Sequence, residues 1–194
     1  MIKSTSKRLV KWLLSVGAIS QDDRELYEYA TYCLLFNLMP IVFTSMVSVP
    51  MGMFAEGILM IIPFIIIRNF SGGFHMKSAA FCFISSTVLL AAFLFLIKIV
   101  LRDQLYLSHF VITLIIELFI IIMSPIDSKE RALSEKEKRV FKRIAIIIST
   151  TVFGIYVLLL SLGLQSTAIP IGTGIIITGC LQIPCCFRKR KCVE

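Results

Sequence analysis

A thiol, an imidazole and a guanidinium lie close together in one short segment of the chain. Arg68 precedes the glycine pair Gly72 and Gly73, which is followed by His75 and, seven residues later, by Cys82. An imidazole that removes the thiol proton leaves a thiolate able to attack a carbonyl, so this pair is the minimum for nucleophilic acyl transfer. The alternative interpretation is a membrane-facing loop with a buried free cysteine. The nearby arginine and glycine pair favour a functional site over this alternative.

His75 and Cys82 cannot act together if both lie on one regular helix. Seven residues rise about 10.5 Å along a helix axis, whereas a base must lie within about 3 Å of the thiol or one water away. Because glycine tolerates the backbone conformations of tight turns, Gly72 and Gly73 predict that residues 68–77 fold back as a loop or re-entrant piece. We then expect His75 beside Cys82 in the first turn of the next helix, where the helix dipole favours a thiolate.

The composition of the whole chain is that of an integral membrane protein. Apolar residues make up 57% of the 194 residues and charged residues only 16%, and the mean hydropathy is +0.89. A soluble domain is about half apolar and about a quarter charged. We therefore predict an all-α integral membrane protein, with residues 1–194 forming a single membrane-embedded domain of about six transmembrane helices.

The apolar runs predict where these helices lie. Their approximate bounds are 31–50, 53–67, 79–100, 106–123, 144–163 and 167–187, so that 31–187 forms the transmembrane bundle. Before them, residues 1–30 carry apolar side chains at helical spacing together with basic side chains. This pattern predicts an amphipathic helix that ends near Gly17 and lies on an anionic lipid surface. Residues 188–194 form a basic tail.

Basic residues are distributed asymmetrically between the predicted connections. Of the 20 lysines and arginines, 18 fall in four segments that lie on one side if the N-terminus is inside. These segments are 1–30, 68–78, 124–143 and 188–194. Basic residues are retained on the cytoplasmic side of membranes. We therefore predict a multi-pass protein of the cell membrane with both termini and the active-site segment on the cytoplasmic side.

Composition also excludes some classes of partner. The net charge of +8 does not indicate nucleic-acid binding, because the basic residues lie beside apolar runs and not on a basic, aromatic-laced soluble surface. The six cysteines include no Cys-x-x-Cys pair and lack the spacing of zinc ligands. We predict neither a metal nor a cofactor.

The segment around the glycine pair resembles the core of the accessory gene regulator B family, membrane peptidases of Gram-positive quorum-sensing systems. The pattern Arg-x-x-Ser-Gly-Gly-Phe-His-x6-Cys over residues 68–82 carries the resemblance, and Ser-Pro-Ile-Asp at 124–127 supports it. The resemblance implies a cysteine endopeptidase that cleaves a cytosolic propeptide through a thioester acyl-enzyme. It further implies cyclisation of the product to a thiolactone or lactone signal, with His75 as the base and Cys82 as the nucleophile.

Several alternatives stay open. The implied partners are a short signalling-peptide precursor and membrane lipid, and the base can belong to the same chain or to a second copy in a homodimer. Arg68 is either an anchor at the membrane boundary or a bidentate partner for a carboxylate.

The alternative function is a small multi-span transporter or channel, with Arg68, His75 and Glu117 along its pathway and Cys82 incidental. Glu117 alone fits a packing hydrogen bond, a proton-handling group or a member of the catalytic pocket, and we expect His109 at the membrane interface.

Overall fold

The computed structural model describes residues 2–71, 79–124 and 135–190, and these residues form helices without strands. This confirms the predicted all-α class. The helices of the described residues are α1 (Ile2–Ser15), α2 (Arg24–Ser48), α3 (Phe54–Ser71), α4 (Ala79–Arg102), α5 (Tyr106–Met123), α6 (Glu135–Ser161) and α7 (Gln165–Arg190). The chain divides into two compact units, Met1–Phe43 and Thr44–Glu194, and the boundary falls within α2.

Four segments of the described residues are long and apolar enough to cross a membrane. They are Phe54–Ser71, Tyr106–Met123, Lys138–Ser161 and Gln165–Ile183. They correspond to the second, fourth, fifth and sixth predicted spans, and α4 covers the third predicted span as a helix. In α2, the stretch Leu38–Ser48 is a shorter apolar helix. The protein is therefore a helical membrane protein, while the total of six spans stays a prediction. The predicted fold-back of residues 68–77 is wrong for residues 68–71, because α3 continues to Ser71; residues 72–77 lie outside the described part of the chain.

In the N-terminal unit, α1 ends as the sequence predicts. Gly17 has a φ of +72°, which L-residues with a side chain rarely adopt. The Gly17 N–H donates to the Leu14 carbonyl at 3.1 Å, and the Ala18 N–H donates to the Leu13 carbonyl at 3.0 Å. These two bonds satisfy the last carbonyls of the helix in a Schellman motif. The prediction of a helix ending near Gly17 is confirmed.

In the second unit, α7 lies at the centre of the bundle. It packs against α3, α4, α5 and α6, and every residue from 168 to 179 is buried. Glycines in α7 allow this close packing: a Cβ added at Gly174 would lie 2.5 Å from the backbone carbonyl oxygen of Met60 in α3. Helices in membranes associate through small residues at their contacts, because the surrounding lipid is as apolar as the side chains.

The contacts also fix the relative directions of the helices. One fully buried apolar cluster joins Ile67 of α3, Ile120 of α5 and Ile175 of α7, and Ile148 of α6 packs against it. A second cluster joins Tyr156 of α6 to the start of α7. Going from the second cluster to the first, residue numbers rise in α3, where Leu59 packs against the second cluster, as well as in α5 and α7, and they fall in α6. The carboxyl ends of α3, α5 and α7 therefore lie at one end of the bundle.

Candidate functional site

The structure describes part of the predicted site. Arg68 lies in the last turn of α3, and its guanidinium carbon is 5.4 Å from the centre of the Phe64 ring, within the range of a cation–π contact. Cys82 lies in the first turn of α4, as predicted. Gly72, Gly73 and His75 lie outside the described residues, as does the Cys82 side chain. The pairing of His75 with Cys82 and the strained glycine turn stay predictions.

Helix lengths place the first turn of α4 at the same end of the bundle as the carboxyl end of α5. The backbone rises about 30 Å from Cys82 to Arg102 and about 27 Å from Tyr106 to Ser124. Residues 103–105 alone join the two helices, and α4 contacts both α5 and α7. The helical hairpin therefore brings Cys82 and Ser124 to nearly the same depth. Arg68, near the carboxyl end of α3, belongs to this end as well.

Three buried polar side chains lie at this end, beyond the isoleucine cluster; we call them the polar end layer. They are Ser71 in α3, Ser124 directly after α5 and Gln182 in α7, and all are almost completely buried. The Gln182 Nε2 donates to the Ser124 Oγ at 3.5 Å. The Gln182 Oε1 is buried without a hydrogen-bond partner among the described residues.

Sequence reasoning missed Gln182. The available signal was an amide side chain within the sixth apolar run, where an uncharged polar group has to find partners inside the protein. Ser124 was singled out only as part of a short motif, and Ser71 only as a position in the pattern around the glycines. Helix packing brings Gln182 into contact with Ser124, 58 residues away in the sequence, and Ser71 ends α3 at the same end of the bundle.

His109 belongs to a separate polar cluster in the bundle. Its Nδ1 is 2.9 Å from the Tyr156 hydroxyl, and its Nε2 is 3.1 Å from the Thr173 Oγ1. Because the Thr173 hydroxyl donates to the Ile169 carbonyl at 2.8 Å, it accepts from the Nε2–H of His109. Nδ1 then accepts from Tyr156, an assignment that rests on the hydrogen-bond network. Both ring nitrogens are satisfied within the protein.

The expectation that His109 lies at the membrane interface is wrong. Its exposed fraction is 3%, because Tyr156 and α7 enclose it. A Cβ at Gly172 of α7 would lie 2.8 Å from the His109 Cε1. His109 thus joins α5, α6 and α7 as a structural residue.

Glu117 is enclosed between these two polar regions. It is buried, and both of its carboxyl oxygens lack a hydrogen-bond partner among the described residues. Ser149 of α6 faces it, but the Ser149 hydroxyl is placed to donate to the Ile146 carbonyl at 3.3 Å. An ionisable residue in a membrane bundle is by default a functional candidate. Within the described residues, no group of three or more His, Cys, Asp or Glu side chains could hold a metal ion.

Comparisons with known proteins assign the family. The family model for accessory gene regulator B matches residues 6–184. AgrB-like protein 2 of Clostridium perfringens strain 13 is 24% identical over 164 residues, which cover 81% of this chain and 77% of the relative. An AgrB-like protein of Clostridium perfringens strain SM101 is 23% identical over 156 residues, covering 77% of this chain and 73% of the relative. No solved structure matches the chain significantly.

The family match includes every segment of the predicted site. It extends from α1 to the last turns of α7 and contains Arg68, Cys82 and the polar end layer. The four helices that are long and apolar enough to cross a membrane agree with this family of membrane proteins. This chain therefore belongs to the accessory gene regulator B family, the peptidase-type processing proteins of accessory gene regulator systems.

Proposed function

We propose that this protein is a membrane cysteine endopeptidase that cleaves a cytosolic propeptide and supports its cyclisation to a thiolactone or lactone quorum-sensing signal. The family match over residues 6–184 carries the proposal. It is supported by the position of Cys82 in the first turn of α4, where the partial positive charge of a helix N-terminus favours a thiolate.

The proposed reaction has two acyl transfers. His75 takes the proton from the Cys82 thiol, and the thiolate attacks a peptide carbonyl of the precursor. The C–N bond breaks as the leaving amine takes the proton from the imidazolium, which gives a thioester between Cys82 and the N-terminal part of the precursor. An internal cysteine or serine of the precursor then attacks this thioester. The bond between the acyl group and the Cys82 sulfur breaks as the ring closes, and the proton of the attacking thiol or hydroxyl passes through His75 to the Cys82 thiolate.

Arg68 is the residue that we propose to bind the substrate in this scheme. The Phe64 ring lies beside its guanidinium at the end of α3, which holds the planar group at the end of the bundle that also carries the first turn of α4. A guanidinium binds a carboxylate through two parallel hydrogen bonds. We propose that Arg68 orients an acidic group of the precursor, and the 18-to-2 distribution of basic residues supports a cytosolic site for it.

Replacement of the nucleophile tests the function. The enzyme is co-expressed with the small precursor, with a central Cys or Ser and an acidic tail, expected from a neighbouring reading frame. Cys82→Ala should lower cyclic product more than about a thousandfold, because loss of a nucleophile removes the covalent route. Mass spectrometry of cells and medium measures linear precursor, cleaved fragments and cyclic product.

Cys180→Ala is the matched control. Cys180 is a free, half-buried cysteine of α7, so its replacement removes a thiol of the same bundle without touching the proposed chemistry. Both variants should reach the membrane in wild-type amounts, as measured by immunoblotting. Normal cyclic product from Cys82→Ala, or equal losses from the two variants, would contradict the mechanism.

A further inference from the structure

The polar end layer contains a hydrogen-bond acceptor that the fold itself does not use. The amide of Gln182 offers two donors on Nε2 and an acceptor on Oε1. Nε2 donates to the Ser124 Oγ at 3.5 Å, while Oε1 is buried without a hydrogen-bond partner among the described residues. Buried polar groups of native proteins are nearly always paired, so an exception points to a ligand, a water or a functional role.

Neighbouring polar side chains of α7 do not share this feature. Thr178, one turn before Gln182, is also buried, but its hydroxyl donates to the Gly174 carbonyl at 2.9 Å. Thr173 is bonded both to the Ile169 carbonyl and to His109. Both threonines bond to the α7 backbone one turn before them. Gln182 instead reaches across to the residue that follows α5, and it leaves its carbonyl oxygen unused.

The polar end layer lies where a peptide substrate would have to bind. Ser71 is the last residue of α3, one turn beyond Arg68. Ser124 ends α5 with an extended backbone, at φ −75° and ψ 147°. Both are at the end of the bundle that carries the first turn of α4 with Cys82. This end of the bundle is the one from which a peptide held at Cys82 would approach Gln182.

The acceptor has the right chemistry for a peptide. The apolar cluster around Ile120 closes the layer on its inner side, so a donor held there is shielded from the solvent that would compete for it. A backbone N–H is the one donor that every peptide carries at each non-proline residue. Recognition through the backbone leaves the precursor's side chains free for other contacts.

We propose that the polar end layer is a subsite for the precursor backbone, in which the Oε1 of Gln182 accepts an N–H of the peptide near the bond that is cleaved. This inference rests on the proposed function, because it takes the peptide precursor as the substrate. Ser124 acts as a positioning residue: its hydroxyl holds the Gln182 amide through Nε2, and this leaves Oε1 for the substrate.

The test is a double-mutant cycle that combines a substitution in the enzyme with N-methylation of one backbone amide in the peptide, and compares the KM values. Purified full-length enzyme in lipid nanodiscs receives synthetic precursors in which one backbone amide at a time is N-methylated and so loses its N–H. Gln182→Met removes the acceptor and keeps an unbranched side chain of similar length. We expect Gln182→Met to raise KM about threefold to tenfold, the loss of one hydrogen bond, with little change in kcat.

One methylated position should show the direct contact. At that position methylation raises KM for the wild-type enzyme and has no further effect on Gln182→Met. Thr178→Val, which changes a buried residue of α7 whose bond is internal, should keep the wild-type KM. An unchanged KM for Gln182→Met, or additive effects at every methylated position, would overturn the proposal and leave the amide a structural group or a water ligand.

The experiment also covers a variant that fails to fold, and it distinguishes failure of the proposed function from failure of the subsite. If Gln182→Met does not accumulate, Gln182→Leu removes the same acceptor and should also raise KM about threefold to tenfold; a KM equal to that of the wild type would overturn the subsite. If the wild-type enzyme leaves the unmethylated precursor intact, the proposed function fails. If it cleaves that precursor but no position couples to Gln182, only the subsite fails.

Discussion

The neighbouring helices α6 and α7 are both apolar spans, yet they have opposite places in the bundle. The most apolar 18-residue stretch of Lys138–Ser161 in α6 has a mean hydropathy of 2.3, and only 17% of that stretch is buried. The corresponding 18-residue stretch of Gln165–Ile183 in α7 has a mean hydropathy of 1.4, and 72% of it is buried. The less hydropathic helix is therefore the central one.

The difference follows from the surroundings of each helix. A helix that faces lipid needs large apolar side chains, and α6 exposes Ile147, Ile155 and Leu158. A central helix instead needs small residues, so that neighbouring backbones can approach, and polar residues that bond across helices. Glycine, threonine and glutamine lower the hydropathy of α7 for this reason. In this bundle, hydropathy measures contact with lipid more than it measures burial.

The largest effect should come from filling the contact between α7 and α3. In Gly174→Leu the Cβ alone would lie 2.5 Å from the Met60 carbonyl oxygen, and backbone cannot move aside without separating the helices. We expect loss of the folded bundle, measured as loss of a monodisperse peak in detergent chromatography. Gly154→Leu in α6 is the control, since nothing lies within 4 Å of a Cβ there. Equal behaviour of the two variants would contradict a central α7.

An intermediate effect should come from truncating one isoleucine in each helix. Ile175→Ala in α7 empties space in the fully buried cluster with Ile67 and Ile120, which should cost about 2 kcal/mol or more of unfolding free energy. Ile147→Ala in α6 shortens a side chain that is 64% exposed and should cost much less, because lipid or detergent fills the space. Equilibrium unfolding in mixed detergent micelles measures both variants. A larger loss for Ile147→Ala would reverse the assignment of the two helices.

The smallest effect should come from the turn that joins the two helices. Gly163 has a φ of +77°, and its N–H donates to the Leu160 carbonyl at 3.2 Å in the same kind of cap as Gly17. Gly163→Ala should lower stability by about 1 kcal/mol, because alanine is strained at positive φ. Gly154→Ala, inside α6, should leave stability equal or slightly higher. The difference between their thermal midpoints is the measurement, and no difference would show that the turn tolerates a side chain.

Much of the fold was predictable because local rules govern it. The end of α1 at Gly17 follows from the freedom of glycine at positive φ. Four of the predicted spans are described helices that are long and apolar enough to cross a membrane, because a run of apolar residues must be helical to satisfy its backbone in lipid. Cys82 was expected in the first turn of a helix, and α4 places it there. Family membership was also predictable, because one short pattern around the glycine pair carries it.

The polar interior was not predictable from the sequence. His109 was expected at the interface, since a lone histidine in a span gives no sign that Tyr156 and Thr173 will bind its two nitrogens. Gln182 gave no sign of its contact with Ser124, because 58 residues separate the two in the sequence.

The sequence alone thus determined where the helices lie, that the protein is a membrane protein, and the candidate chemistry of Cys82. Each depends on residues near one another in the chain, through backbone hydrogen bonding, hydropathy or a short motif. Tertiary structure alone decided that α7 is the central helix and that Gln182 contacts Ser124 at the end of the bundle that also carries Ser71. The reason is physical: lipid and protein interior are nearly equally apolar, so hydropathy cannot show which face of a span meets which neighbour, and only close packing at the glycines of α7 selects one arrangement.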